Sequence, residues 1–100
     1  MKPFNLFNID KHISVLYVED QIDIQEEFVD ILALYVDEIY VASNVQEGLQ
    51  KFQNTLPDII ITDIQMPKMT GLEMIEQIRK TDQETPVIVT SSYEDSKYLL

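Results

Sequence analysis

The sequence has no cysteine, which excludes both a disulfide framework and a thiolate metal site. It has only two glycines and four prolines in 100 residues, and with 45% apolar residues this composition favours a globular fold over a disordered tail. No apolar run approaches the ~18 residues needed to span a bilayer. The N-terminus lacks the apolar core and cleavage site of a signal peptide. We therefore expect a soluble, cytoplasmic protein.

Basic residues are scarce. Seven Lys and Arg stand against 18 Asp and Glu, which gives a net charge of −11. This charge argues against direct binding to nucleic acids or to anionic membranes, because both surfaces would repel the protein. The single histidine, His12, precedes the first predicted strand and is interpreted as a surface residue. Two explanations of this net charge are open: the acidic residues maintain solubility, or some of them are concentrated at a cation site.

The apolar residues that are present alternate between two patterns. Short β-branched and aromatic runs predict four strands, at residues 13–18, 39–42, 59–62 and 87–90. Helical spacing joins them, and Asn44 with Glu47 three residues later predicts a capping box. Strands that alternate with helices in this way predict βαβ units and a parallel sheet, hence one α/β domain over residues 13–100 after a lead-in at 1–12.

Polar side chains follow three of these strands. Glu19 and Asp20 come after the first strand, Asp63 after the third, and Ser91 and Ser92 after the fourth. Ligands of open α/β sheets bind outside the carboxyl ends of the strands, where the strand order reverses. Three carboxylates brought together there would repel one another and raise each other's pKa unless a cation lay between them. Oxygen ligands of this kind suit Mg²⁺.

Each of these residues has a simpler interpretation when it is taken alone. Asp20 fits a helix N-cap as well as it fits a metal ligand. Ser91 and Ser92 fit two solvated hydroxyls at a strand end. Taken together, the acidic residues and serines favour a cation site beside which a hydroxyl and a backbone N–H face an anion.

Three segments carry a more specific signal. They are Glu19-Asp20, the stretch from Asp63 to Gly71 that reads Asp-x-x-Met-Pro-x-Met-x-Gly, and the stretch from Pro86 to Ser92. In this order they resemble the response-regulator receiver domains of two-component signalling, over residues 13–100. The resemblance implies a flavodoxin-like, doubly wound parallel sheet of order 2-1-3-4. The family's fifth strand, which supplies a lysine to the site, and its last helix are absent from these 100 residues.

The resemblance also implies a metal site. Asp20 and Asp63 would bind Mg²⁺ directly, and the backbone carbonyl of Gln65 would be a third protein ligand. Glu19 would act mostly through metal-bound water. In the loop that holds Gln65, Pro67 removes a backbone donor and Gly71 permits a positive φ, so that the third strand cannot continue.

The phosphoryl chemistry is likewise implied by the resemblance. Asp63 would be the phosphoacceptor and would form an acyl phosphate. Ser91 would hold a phosphoryl oxygen and move inward after modification, and the backbone N–H of Ser92 would be a further donor. Gln65 and Tyr93 would flank the phosphoryl group and tune its hydrolysis. Such a domain is not an enzyme beyond slow self-catalysed phosphorylation and dephosphorylation.

The leading interpretation is a phosphoacceptor switch, supplied by a histidine kinase or a small phosphodonor, that relays a conformational or oligomeric change. An apolar fourth strand at the sheet edge also predicts a homodimer, formed along that edge or by exchange of the terminal segment. One alternative is a receiver-like interaction module that is not phosphorylated. Another is a phosphohydrolase, which usually needs a second carboxylate where this chain has Gln65.

Overall fold

Our computed structural model describes residues 12–64 and 70–90. Its elements, in chain order, are β1 (Ser14–Val18), α1 (Ile22–Leu32), β2 (Glu38–Ala42), α2 (Val45–Thr55), β3 (Ile59–Asp63), α3 (Gly71–Arg79) and β4 (Val87–Thr90). The strands are parallel and lie in the order β2-β1-β3-β4. The predicted α/β fold and strand order are confirmed. Most of the predicted lead-in lies outside the described residues.

The central strands explain why the strand predictions succeed. Every residue of β1 is buried, as are the last four residues of β3. Parallel strands that are covered on both faces consist of continuous apolar runs, which are visible in the sequence. In the register, Val18 pairs with both Ala42 and Thr62. β1, β2 and β3 therefore end at one level, and the residues that follow them meet at one edge.

One face of the sheet is covered by α2 and α3. Both helices begin with a side-chain cap: Asn44 Oδ1 accepts from the Glu47 N–H at 2.8 Å, and Thr70 with Glu73 forms a full capping box. The Glu47 carboxylate accepts from the Ser43 N–H rather than from Asn44, one residue further back than the predicted box requires. The buried residues of this layer are Leu16, Val18, Ala42, Val45, Phe52, Ile60, Met74 and Ile78.

The other face is covered by α1. Its buried residues are Ile13, Val15, Tyr17, Val36 and Ile61, against which Phe28, Val29 and Leu32 of α1 pack. The rings of Tyr17 and Phe28 lie 4.9 Å apart. No residue of α1 is itself fully buried, so this layer is the thinner of the two.

The outer edge of β2 is occupied by a side chain. The Ala42 carbonyl accepts from the Glu19 N–H, and neighbouring carbonyls of a strand point to opposite sides. The Val41 carbonyl therefore points away from the sheet, and it accepts a hydrogen bond from the ammonium group of Lys51 in α2. A lysine at an edge strand hinders the addition of another strand.

Candidate functional site

Three carboxylates meet where the strand order reverses, between β1 and β3. Glu19 and Asp20 follow β1, and Asp63 is the last residue of β3. Each contributes an oxygen, and these three oxygens lie within 4.8 Å of one another. Glu19 is 4% exposed and Asp63 is 6% exposed. The structure thus brings together three of the predicted site residues, which are far apart in the sequence, in a setting with little solvent screening.

Glu19 is held in the turn between β1 and α1. Its Oε2 accepts from the Gln21 N–H at 3.1 Å, and its backbone carbonyl accepts from the side-chain amide of Gln25 at 2.9 Å. Burial, together with the neighbouring Asp20 and Asp63 carboxylates, raises the pKa of the Glu19 carboxyl to about 7, against the hydrogen bond from Gln21 that lowers it. The site therefore disfavours negative charge when no cation is bound.

Asp20 is not the N-cap of α1. The N-cap is Gln21, which makes no side-chain cap hydrogen bond. Asp20 Oδ1 is buried, and within the described residues it has no hydrogen-bond partner. A buried carboxylate oxygen without a donor is costly, whereas a cation would satisfy it. This oxygen and its two carboxylate neighbours fit a hard divalent cation such as Mg²⁺.

The backbone beside Asp63 is held by hydrogen bonds of the next residue. The next residue, Ile64, donates to the Thr90 carbonyl at 3.2 Å and accepts from the Gly71 N–H at 2.7 Å. A Cβ on Gly71 would lie 1.9 Å from the Asp63 carbonyl oxygen. The φ of Gly71 is not positive, so the expected reason for this glycine is wrong. It is needed because the start of α3 approaches the Asp63 backbone so closely.

A cleft of about 230 Å³ opens beside the carboxylates on the α1 face. Its walls include Glu19, Asp63 and Thr90 and the apolar parts of Tyr17, Ile24 and Phe28. Burial and the charges of Glu19 and Asp63 raise the pKa of Tyr17 well above its usual value, so its hydroxyl keeps its proton at neutral pH. The cleft offers space next to Asp63 for a small group such as phosphoryl.

Two residues of this site were not predicted from the sequence. Thr90 is the register partner of Asp63, so both side chains lie on one face of the sheet. The two-residue period of β4 would have revealed Thr90 once the register was known. Gln25 gave no signal, because a polar residue on an amphipathic helix is typical of a solvated face.

Four residues with predicted roles lie outside the described residues, so their roles stay predictions: Gln65, Ser91, Ser92 and Tyr93. Within residues 12–64 and 70–90, no helix has the length and apolar character needed to cross a membrane.

Comparison with known protein families matches residues 15–100 to the response regulator receiver domain. A parallel sheet of this order, with acidic residues where the order reverses, is accordingly a receiver fold. The match covers most of the chain, and the chain belongs to the response regulator receiver family.

Individual relatives agree with this assignment. The chain is 34% identical over 89 residues to the probable C4-dicarboxylate response regulator DctR of Bacillus subtilis, which covers 87% of this chain but 39% of DctR. The chain thus spans about two fifths of that relative's length.

Solved structures extend the comparison to the fold. The N-terminal domain of an uncharacterized protein from Wolinella succinogenes is 38% identical, with a TM-score of 0.77 over 86% of this chain and 69% of that one. The response regulator TrrA of Thermotoga maritima, in complex with Mg²⁺ and BeF, is 33% identical, with a TM-score of 0.77 over 88% of this chain and 76% of that one. TrrA in a structure of its complex with the histidine kinase ThkA is 35% identical, with a TM-score of 0.73 over 81% of this chain and 70% of that one.

Proposed function

We propose that this chain is a phosphoacceptor domain that takes a phosphoryl group on Asp63 with the help of Mg²⁺ and relays it as a conformational or oligomeric change. The observation that carries the proposal is the convergence of Glu19, Asp20 and Asp63, with a buried and unpartnered Asp20 oxygen, beside a cleft of about 230 Å³. The proposed domain comprises residues 13–100, after a lead-in at 1–12.

The metal would be held by the Asp20 and Asp63 carboxylates and the Gln65 carbonyl, with Glu19 acting through bound water. When bound, Mg²⁺ neutralises charge on the carboxylates and on the phosphoryl oxygens. The TrrA structure with Mg²⁺ and BeF supports this assignment in a related protein. Burial and the neighbouring Asp20 and Asp63 carboxylates raise the pKa of Glu19 to about 7, so negative charge at this site is costly and a cation would offset the cost, which supports the assignment too.

The chemistry is a transfer of the phosphoryl group to a carboxylate. An oxygen of Asp63 attacks phosphorus, a P–O bond forms, and the bond from phosphorus to the donor breaks with its electron pair on the leaving group. Carboxylates are weak nucleophiles, so the rate depends on positioning and on charge neutralisation. Ser91 and the Ser92 N–H are the proposed donors to the phosphoryl oxygens. The domain accepts the group and does not turn over an external substrate.

The phosphodonor is proposed to be a histidine kinase or a small molecule such as acetyl phosphate. The complex of TrrA with ThkA shows that a related receiver binds a histidine kinase, which supports the first donor class. In that case the bond that breaks is the one from phosphorus to an imidazole nitrogen. With acetyl phosphate it is the bond from phosphorus to the acetyl oxygen.

Intact mass spectrometry after incubation with Mg²⁺ and acetyl phosphate tests the proposal. We expect one phosphoryl adduct on the parent chain and none on Asp63→Asn or without Mg²⁺. Asp58→Asn is the matched control, because Asp58 lies just before the same strand, at its opposite end, and should leave the adduct unchanged. A folded parent chain that binds Mg²⁺ yet gains no adduct would overturn the phosphoacceptor function.

That negative result would favour an interaction module instead. The exposed apolar residues of β4 support this alternative. Within the described residues β4 is an outer strand, and its Ile88 and Val89 are 52% and 39% exposed. The proposed partner is a second copy, bound along this edge or by exchange of the terminal segment.

Sedimentation at high micromolar concentration tests the homodimer. The Thr90 carbonyl points toward β3, where it accepts from the Ile64 N–H. Neighbouring residues of a strand direct their backbone groups to opposite sides, so the Val89 N–H points away from the sheet. Val89→Pro removes this outward donor and should convert a dimer into a monomer. A parent chain that is already monomeric would overturn the pairing.

A further inference from the structure

Gln25, in the first turns of α1, connects three parts of the chain. Its side-chain Nε2 donates to the Glu19 carbonyl at 2.9 Å and makes a longer contact of 3.4 Å with Ser43 Oγ. Its backbone N–H donates to the Gln21 carbonyl at 2.9 Å. Through its side-chain amide and its backbone N–H, this partly buried residue therefore joins the end of β1, the start of α1 and the loop between β2 and α2.

The segment that Gln25 holds, residues 19–21, carries two of the three carboxylates and is here named the acidic turn. Among the described residues, its other anchors are the hydrogen bond from the Glu19 N–H to the Ala42 carbonyl, at 3.0 Å, and the internal bond from Gln21 to Glu19 Oε2. Gln21 has no side-chain cap bond at the start of α1. Few bonds thus oppose the mutual repulsion of the carboxylates.

The chemistry of glutamine suits this position. Its amide donates a hydrogen bond without carrying a charge, so it fixes the carbonyl of Glu19 and leaves the negative potential of the site for a cation. A lysine or arginine would also donate, but its positive charge would compete with the cation for the same carboxylates. The contact is to the backbone of Glu19, so it acts on the position of the whole turn.

We propose that Gln25 is a positioning residue for the metal site. By holding the Glu19 carbonyl, it keeps the Glu19 and Asp20 carboxylates at the separation that a divalent cation requires. Gln25 contacts neither the cation nor the phosphoryl group, so its effect is transmitted through the acidic turn. This inference rests on the proposed function, because it assumes that the carboxylates bind Mg²⁺.

The first test compares Gln25→Met, which keeps the length of the side chain but has no N–H, with the parent chain. Mg²⁺ binding is followed by amide chemical shifts in NMR spectra of the full chain. We expect the Mg²⁺ Kd of Gln25→Met to rise about tenfold, the lower end of what the loss of an outer-shell partner costs a metal site. Gln50→Met is the matched control, because Gln50 is exposed in α2, and it should leave the Kd unchanged.

The second test uses the metal-free protein. Amide hydrogen exchange at Gln21 should be faster in Gln25→Met than in the parent, because the acidic turn is no longer held. Gln25→Arg restores a donor of sufficient reach and should return this exchange toward the parent rate. A purely global loss of stability would instead accelerate exchange throughout the core strands and would overturn a role specific to the turn.

The outcomes separate the two proposals. A parent chain that shows no Mg²⁺-dependent shifts overturns the proposed metal site together with this inference. A parent that binds Mg²⁺, with a Kd that Gln25→Met changes by less than twofold, overturns the inference and leaves the proposed function standing. Should Gln25→Met fail to fold, Gln25→Asn gives the same comparison, because its amide is too far from Glu19 to donate.

Discussion

Acidic side chains gather at both ends of the sheet, but they differ in their hydrogen-bond partners. At the amino end, Asp37 accepts from the Ile13 N–H at 2.7 Å and Asp58 accepts from the Ser14 N–H at 2.8 Å. At the carboxyl end, Asp20 Oδ1 is buried and has no partner within the described residues. The amino-end carboxylates therefore join strands and loops, whereas at the carboxyl end one buried Asp20 oxygen has no donor among the described residues.

One glutamate at each end has a shifted pKa, and the two shifts have opposite directions. The hydrogen bond from His12 to Glu38, 2.9 Å long, lowers the pKa of Glu38 below its ordinary value. Burial raises the pKa of Glu19 to about 7. A cluster of acidic residues alone thus does not mark a cation site. Burial combined with a shortage of donors distinguishes the carboxyl end from the amino end.

The largest effect on stability is expected from Gly71→Ala, which disturbs the backbone of Asp63 at the carboxyl end of the sheet. The added Cβ would lie 1.9 Å from the Asp63 carbonyl oxygen, so α3 or β3 must shift. We expect a loss of about 3 kcal/mol in the free energy of unfolding, the upper range for overpacking, measured by urea denaturation. Leu72→Ala, at the next and exposed position, should cost well under half as much. Equal stability of Gly71→Ala and the parent would contradict the steric reason for this glycine.

The next effect separates the two ends directly. Asp58→Ala leaves the Ser14 N–H without its acceptor and should lower the free energy of unfolding by about 2 kcal/mol, with no change in Mg²⁺ affinity. Asp20→Ala should behave in the opposite way: it removes an unpartnered oxygen, so metal-free stability stays constant or rises, while Mg²⁺ binding is lost. Denaturation with EDTA and a Mg²⁺ titration measure both quantities. If Asp58→Ala and Asp20→Ala lost similar amounts of stability, the proposed difference between the two ends would be wrong.

A smaller effect is expected from pH in metal-free buffer. The pKa of Glu19 is about 7 in the folded chain, against an ordinary 4.5, so the folded chain binds more protons than the unfolded chain between these values. The stability that Glu19 contributes is fully present below pH 4.5 and is lost as the pH rises to about 7. Glu19→Gln should remove this decline. Saturating Mg²⁺ should do the same, and a decline that persists with Mg²⁺ would argue against a cation at this site.

The smallest effect belongs to His12 at the amino end. The hydrogen bond to Glu38 raises the pKa of His12 above its ordinary 6.5. Its contribution to stability is therefore fully present below pH 6.5 and is lost as the pH rises through the higher value of the folded chain. The pair is exposed, so the effect is small. An NMR titration of the His12 ring should give a pKa that Glu38→Gln lowers and that Mg²⁺ leaves unchanged; a shift on adding Mg²⁺ would link the two ends.

The strands and the three carboxylates at the carboxyl end could be predicted from the sequence. Buried parallel strands form continuous apolar runs, and carboxylates after such strands converge once the topology is known, so Glu19, Asp20 and Asp63 were predictable. The partners of Asp37 and Asp58 were not, because they are backbone groups supplied by a distant segment. Gln25 was missed because a polar residue on an amphipathic helix is typical of a solvated face. Gly71 was identified, but its contact with Asp63 depends on how closely α3 approaches β3, which no local pattern encodes.

If the proposed homodimer forms through β4, the hydrogen bond from Lys51 to the Val41 carbonyl would limit its growth. If both outer strands could pair, each added copy would leave another sheet edge exposed, and chains would join end to end into a filament. Lys51 contacts the β2 edge, so among the described strands β4 is the one that the proposed dimer would use. Two copies joined through β4 about a twofold axis would have β2 at both outer edges, so growth stops at two.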